Sequence, residues 1–308
     1  MLGKIVEIAD DKKHLSVFRG FLVVKNFADC QQNETHKVPL DDIIAVVGNA
    51  YGLSYTNNLL VALAERGIPF IICGTNHNVA GILFSVDGHY QQAKRFDAQI
   101  AANLPANKKL WMQIIKSKLS WQAAVLEKIG SSPNQLQNLI SKVRSGDPTN
   151  VEAQGARRYW PLLFGTTFRR DKNAGGINAL LNYGYTVLRA TVARAITCAV
   201  LHPTIGIHHK NENNALRLVD DVMEPFRPIV DFKVWQLYQN NKIEVNSETK
   251  KKIALTMFVD IKTNAGISPL TICIQKCAIS LAQFYLGETN CLEFPVKFPT
   301  YDELYLAI

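Results

Sequence analysis

The hydrophobic period of this chain changes once, near residue 90, and no other sequence feature limits the fold as much. Up to that point, Val-, Ile- and Phe-rich runs at 4–9, 15–26, 34–40, 43–48, 69–74 and 79–86 are divided by Asp, Asn and Gly, which reads as strands and turns. One helical pattern interrupts them at 57–67, and Gly67 stands where a helix stops. Beyond Tyr90 the apolar residues recur at helical spacing. In 107–129 they are Leu110, Trp111, Ile114, Ile115, Val125 and Ile129, with Lys108, Lys109, Lys116 and Lys118 between them. Further helical patterns cover 135–144, 151–164, 176–200, 216–237, 248–260 and 268–286, and almost nothing there alternates with period two. The expected architecture is an α+β chain of two domains. Residues 1–90 form a small, mostly β domain with one covering helix, and residues 91–308 form an all-α domain, joined near 91–99.

With 308 residues, 47% of them hydrophobic, the chain has enough apolar material for a real core. The densest apolar stretch, 186–201, is broken by Arg189 and Arg194, so no membrane span is expected. The opening MLGKIVEIAD lacks the pattern of a signal peptide, and the expected location is the cytoplasm. Of the six cysteines (Cys30, Cys73, Cys198, Cys273, Cys277 and Cys291), no two form a CxxC pair. Cys273 and Cys277 can share a helical face, and burial as small hydrophobes is favoured over metal ligation. Charge is unevenly placed. Residues 1–90 hold 7 basic and 9 acidic residues, the remainder 27 and 17, so the net +8 comes wholly from the second part. That is the distribution expected if the second domain faces a polyanion.

Two segments carry the chemistry. In 146–160, Gly146, Asp147 and Pro148 mark a turn before a helix, and Glu152 lies three residues after Thr149. That spacing is a capping box, and on this segment alone the cap reading wins. Against it, Ala153, Gly155 and Ala156 form a low-walled surface beside the basic pair Arg157 and Arg158, which gives a phosphate backbone room to approach. In 201–228, three histidines and several carboxylates gather ahead of Glu224. His208 and His209 are adjacent, so at most one of them points inward as a ligand. Asp221 and Asp220 stand three and four residues before Glu224, within reach of one helical face; Asp220 reads as surface charge. Pro225 disfavours helical angles at Glu224, which places a break there. One Glu, one His and a further carboxylate suit Mg²⁺ or Mn²⁺ acting on phosphate better than structural Zn²⁺. Spacing alone does not bring residues 152 and 209 together.

The segments EAQGARRYW (152–160), FGTTFRR (164–170), INALLNYGYTVLRATV (177–192), LHPTIGIHHKNENN (201–214) and DVMEPFRPIVD (221–231) together resemble the CRISPR-associated integrase family that inserts new spacers, the most widely shared Cas protein. YTNNLLVALAERGIPFIIC (55–73) and LWMQIIKSKLSWQA (110–123) extend the resemblance over essentially the whole chain. GIHHKNENN followed by MEPFRP is most similar to members from type II, Cas9-containing systems.

The resemblance implies that Glu152, His209 and Glu224 are the catalytic metal ligands, with Mg²⁺ or Mn²⁺ as cofactor. Asp221 supports the site or contacts DNA. Arg157, Arg158, Arg169, Arg170 and Lys210 are the expected phosphate contacts. It further implies a homodimer formed through the first domain, a small ferredoxin-like Cas partner bridging two dimers, and Cas9 with other type II adaptation proteins around them. The substrates are double-stranded DNA, a spacer fragment and a CRISPR repeat. The implied reaction is attack of a 3′-hydroxyl on a phosphodiester at the repeat edge, accompanied by endonuclease activity. His209 stands either as a ligand or as a proton shuttle. The rivals are a hydrolytic DNase or branched-DNA resolvase using the same residues, and a DNA-binding scaffold in which the carboxylates are caps.

Overall fold

The computed structural model describes residues 4–27, 36–74, 79–83, 91–263, 266–295 and 297–299. The chain divides into two compact units, Met1–Asp97 and Ala98–Ile308. Cys30 lies outside the described residues.

The first unit is built on two four-stranded sheets rather than one. Strands β1 (Lys4–Ile8), β5 (Ile43–Gly48), β7 (Phe70–Cys73) and β8 (Val79–Leu83) form the first, in the order β1-β5-β7-β8. The second runs β4-β3-β2-β6, from β4 (His36–Pro39), β3 (Phe21–Asn26), β2 (Lys13–Phe18) and β6 (Leu53–Tyr55). The apolar run 15–26, read as one strand, is a hairpin. Arg19 and Gly20 at its centre both take positive φ, 49° and 80°, as a two-residue turn between twisted strands requires. Phe18 then pairs with Phe21, and Leu15 with Val24. Helix α1 (Asn57–Glu65) starts on the Thr56 hydroxyl, which accepts the Leu59 N–H at 3.2 Å. It ends before Gly67, whose φ of 65° reverses the chain. Leu59, Ala62 and Leu63 pack into a core with Leu15, Leu22, Val46 and Phe70.

Residues 91–99, expected as a linker, lie in helix α2 (Gln92–Ile100). The long helix α3 (Leu104–Lys128) follows, capped by Asn103. Then come α4 (Asn134–Ile140), α5 (Val151–Phe164), α6 (Ile177–Cys198), α7 (Arg217–Met223), α8 (Arg227–Gln239), α9 (Ser247–Leu255) and α10 (Leu270–Tyr285). Helix α3 packs on α4, α5 and α8, and α6 on α7, α8, α9 and α10. This unit is not all-α. Strands β9 (Asp260–Thr263) and β10 (Gly266–Pro269) pair as an antiparallel hairpin too short to show a period-two signal. No helix among the described residues is long and apolar enough to cross a membrane.

Candidate metal centre

Glu152 sits in the first turn of α5, and its carboxylate is not a cap. Asn150, at φ 50°, occupies the cap position and accepts the Ala153 N–H at 3.2 Å. Asp147 accepts the N–H of Val151 at 2.8 Å and of Glu152 at 3.0 Å. The orphan donors of the helix start are thereby satisfied by two other side chains. Freed of capping, the Glu152 carboxylate accepts a hydrogen bond from Lys118 Nζ at 2.6 Å.

Lys118 is the residue that the sequence reading passed over. Set among the charges between apolar positions of α3, it is instead on the buried face, with only 10% of its side chain exposed. Its ammonium lies 2.6 Å from Glu152 Oε1 and 2.6 Å from Glu224 Oε2, so a single cation joins two carboxylates 72 positions apart in sequence. The signal was legible: Lys118 is seven residues from both Trp111 and Val125, on the same helical stripe. Arg227 completes the group, with Nη2 2.9 Å from Glu224 Oε1. Burial raises the Glu224 carboxyl, but Arg227 and Lys118 outweigh it and hold its pKa below the ordinary carboxylate value. Burial likewise pulls the Lys118 ammonium down, and Glu224 with Glu152 more than reverses that. Two cations and two carboxylates thus form a quartet of zero net charge, buried at Lys118 and Glu224 and partly exposed at Glu152 and Arg227.

Glu224 opens a 3-10 turn, Glu224–Phe226, between α7 and α8. Pro225 produces the expected break, yet Glu224 itself keeps helical angles (φ −53°, ψ −45°). The turn places its carboxylate inward, 6% exposed.

His209 reaches the same region from the loop before α7. The organiser of that loop is Asp221, which is wholly buried. Its Oδ2 accepts the N–H groups of Ile207 at 2.6 Å and His208 at 3.0 Å, and its Oδ1 accepts the N–H of His209 at 3.2 Å. The ring Nδ1–H of His209 donates to Oδ1 at 2.6 Å, which leaves Nε2 as the nitrogen with a free lone pair. This hydrogen bond, then the Asp221 charge, raises the His209 pKa against the opposing effect of burial. With no exposed surface, Asp221 has none to offer DNA; what it holds is the backbone of residues 207–209 and the His209 ring. Gly206 makes the wrap possible, because a Cβ there would lie 2.8 Å from the His209 carbonyl oxygen and 3.1 Å from Asp221 Oδ2. Gln99 anchors the start of the loop, accepting the His202 N–H at 2.8 Å and donating to the carbonyls of His202 and Ile205. His208 turns away and stacks on Trp111, ring centroids 4.1 Å apart and planes 2° from parallel. Asp220 is not a free surface charge: Arg189 of α6 grips both its oxygens, at 2.7 and 3.0 Å.

Among the described residues, no three His, Cys, Asp or Glu side chains already converge as a metal cage. The Lys118 ammonium stands between the two carboxylates. The donor set nevertheless fits a hard divalent cation. Two carboxylates converge on one positive charge, and an imidazole oriented by a carboxylate lies within electrostatic reach of Glu224. Cys273 and Cys277 are buried in α10, which pushes their thiols up to about 11 and about 12, as inert core residues behave.

The basic residues divide. Arg170 is committed to the start of α6, donating to Asn178 Oδ1 at 2.9 Å and Asn182 Oδ1 at 2.6 Å. Arg169 turns back to the carbonyls of Thr166 and Phe168, and Arg158 to that of Gln135. Arg157 and Lys210 are exposed. Gly155 does not open the surface to phosphate. A Cβ there would lie 2.4 Å from Leu119 Cδ2, so it exists to let α5 approach α3.

The family model described as CRISPR associated protein Cas1 matches residues 6–262. The CRISPR-associated endonuclease Cas1 of Neisseria meningitidis serogroup C is 36% identical over 273 residues, covering 87% of this chain and 88% of that protein. Among solved structures, a casposase bound to integration product superposes with a TM-score of 0.69 at 19% identity, covering 94% of this chain and 98% of that one. A Cas6-RT-Cas1–Cas2 complex gives 0.67 at 18% identity over 96% of this chain and 36% of that one. At such identities the structures speak for the fold, and the sequence matches speak for the family: this chain belongs to the Cas1 family of CRISPR-associated proteins.

Proposed function

We propose that this chain is a metal-dependent DNA integrase of CRISPR adaptation, with endonuclease activity from the same site. The observation that carries the reading is the meeting of Glu152 and Glu224 on one buried cation, beside a histidine whose ring Asp221 orients. Glu152, Glu224 and His209 Nε2 would hold Mg²⁺ or Mn²⁺, which when bound neutralises phosphate charge and orients nucleophile and leaving oxygen. The name of the Neisseria relative and the casposase with its integration product support the choice of phosphodiester chemistry.

In the proposed reaction a 3′-hydroxyl oxygen of the incoming fragment forms the new P–O bond. The P–O bond at the repeat edge breaks, and its 3′-oxygen leaves with a proton. Glu152 and Glu224 keep two negative charges at fixed positions, so a cation and then a phosphate are drawn in without rearrangement of the fold. Arg157 and Lys210 are the side chains of the expected basic set best placed to meet the DNA backbone, and the net positive charge after residue 90 supplies salt-sensitive affinity. Pairing of first domains into a homodimer, a small ferredoxin-like Cas partner, Cas9 with further adaptation proteins, and a cytoplasmic location complete the proposal. The Cas1–Cas2 assembly among the fold neighbours supports the small partner.

A labelled fragment with a 3′-hydroxyl, incubated with a repeat-bearing plasmid and Mn²⁺ or Mg²⁺, tests the reading. Covalent joining that is lost in Glu152→Gln, Glu224→Gln and His209→Ala is the expected result. Nicking without joining would instead establish the hydrolytic nuclease, and full joining by all three variants would overturn the site.

A further inference from the structure

We propose that Lys118 is a built-in stand-in for the metal: its ammonium holds Glu152 and Glu224 together in the metal-free protein and must leave the space between them when a divalent cation binds. The inference rests on the metal-site reading above and adds a residue to it that no carboxylate or histidine pattern points to.

Three observations carry it. First, position: Lys118 Nζ touches one oxygen of each carboxylate at 2.6 Å, so those oxygens are at most about 5.2 Å apart. An ion bonded at about 2.1 Å needs them within about 4.2 Å, so occupation of the site asks only a small inward movement. Second, geometry: Glu224 Oε2 is buried, and the ammonium meets it at 2.6 Å off the favoured hydrogen-bond direction. A buried oxygen held in that way is better satisfied by a coordinated cation. Third, charge: Lys118 and Arg227 already balance Glu152 and Glu224, and adding a divalent ion beside a retained ammonium would crowd like charges around two oxygens. A buried lysine on an apolar helix face is costly unless paired, and here its two partners are the proposed metal ligands themselves.

The competition has a direct readout. Mn²⁺ binding to the full-length protein is measured by isothermal titration and by the rise in melting temperature, for wild type, Lys118→Met, Lys118→Arg, Glu152→Gln and Glu224→Gln. Lys118→Met is expected to melt lower than wild type without metal, to gain more from Mn²⁺, and to bind it about tenfold more tightly or better, since no charged hydrogen bond has to be broken. Lys118→Arg, with a guanidinium that bridges two carboxylates more firmly, is expected to bind Mn²⁺ more weakly than wild type. If Lys118→Met folds only when Mn²⁺ is supplied, that rescue also supports the proposal. Equal or weaker Mn²⁺ binding by Lys118→Met, while Glu152→Gln and Glu224→Gln abolish it, would overturn the role of Lys118 and leave the metal site standing. Unchanged Mn²⁺ binding by the two glutamine variants would overturn both.

Discussion

Asp221→Asn isolates the device that aims His209. The aspartate accepts three backbone N–H groups and one ring N–H, two on each oxygen. Asparagine keeps one carbonyl oxygen and puts an NH₂ donor where the other acceptor stood. Turned one way, the amide NH₂ faces the N–H groups of Ile207 and His208; turned the other, it faces the N–H of His209 and the ring, which escapes only by changing tautomer. At roughly 1–3 kcal/mol for each buried group left unsatisfied, the cost is about 1–6 kcal/mol, a large part of an ordinary domain's stability. If the amide NH₂ faces the ring, His209 must accept at Nδ1 and protonate Nε2, the nitrogen proposed to ligate the metal. DNA joining should then fall by about 10–100-fold, as for other outer partners of ligating histidines. Urea denaturation followed by circular dichroism reads the first quantity, and the histidine ¹⁵N chemical shifts read the tautomer. His209→Ala is the control: it leaves the three backbone bonds in place, so it should lose activity with far less stability. An Asp221→Asn protein within about 0.5 kcal/mol of wild type, with His209 still protonated at Nδ1, would refute this account.

Asn150→Ala should cost about 1–2 kcal/mol, through the lost cap and the left-handed φ of 50°, whereas Asn150→Gly should cost only a few tenths. Both should retain DNA joining, because the cap and the proposed ligand Glu152 are separate side chains. Gly155→Ala forces Leu119 aside and should destabilise by about 1–3 kcal/mol in urea, with Gly155→Val worse. Burial, opposed by the hydroxyl hydrogen bond of Tyr185 and the charge of Arg227, pushes Asp231 up to about 7. The folded state therefore keeps a proton that the unfolded chain releases near pH 4, and stability should decline as pH rises from about 4 through about 7. The decline is on the order of 4 kcal/mol for a shift of about three units. Asp231→Asn should flatten that profile, and a wild-type denaturation midpoint constant from pH 5 to 8 would contradict it.

How much of this was readable depends on which physical signal each residue leaves. Helices such as α5 and α6 declared themselves because their apolar stripes are long and periodic. The β9–β10 hairpin did not, since four-residue strands carry no more than two alternations. The run 15–26 concealed its turn because Arg19 precedes Gly20 where Asn or Asp is the usual signal. At the site, Glu152 looked like a cap because Thr149 stands three residues before it; only the structure shows Asn150 and Asp147 doing that work. Gly155 was read as openness toward phosphate, and it is a helix–helix contact. Lys118 left a clear mark, a cation at the centre of an apolar stripe, and the mark has meaning only once its two carboxylates are placed.

That placement also explains why three distant segments are needed. Helix α3 carries one cation in its buried face, α5 brings one carboxylate, and the break at Pro225 brings the other. Replacing a buried ion group by apolar side chains of similar size is often neutral or stabilising, so the quartet of Lys118, Glu152, Glu224 and Arg227 is not required for a stable core. A quartet kept for folding alone would be expected to align its hydrogen bonds, yet the ammonium meets Glu224 Oε2 off the favoured direction. Such a site is better matched to a guest of higher charge than to the ammonium that occupies it. Simultaneous replacement of Lys118, Glu152 and Glu224 by methionine should therefore give a protein that folds at least as stably as Lys118→Met and neither binds Mn²⁺ nor joins DNA. A triple variant much less stable than Lys118→Met would show instead that the charges serve the core.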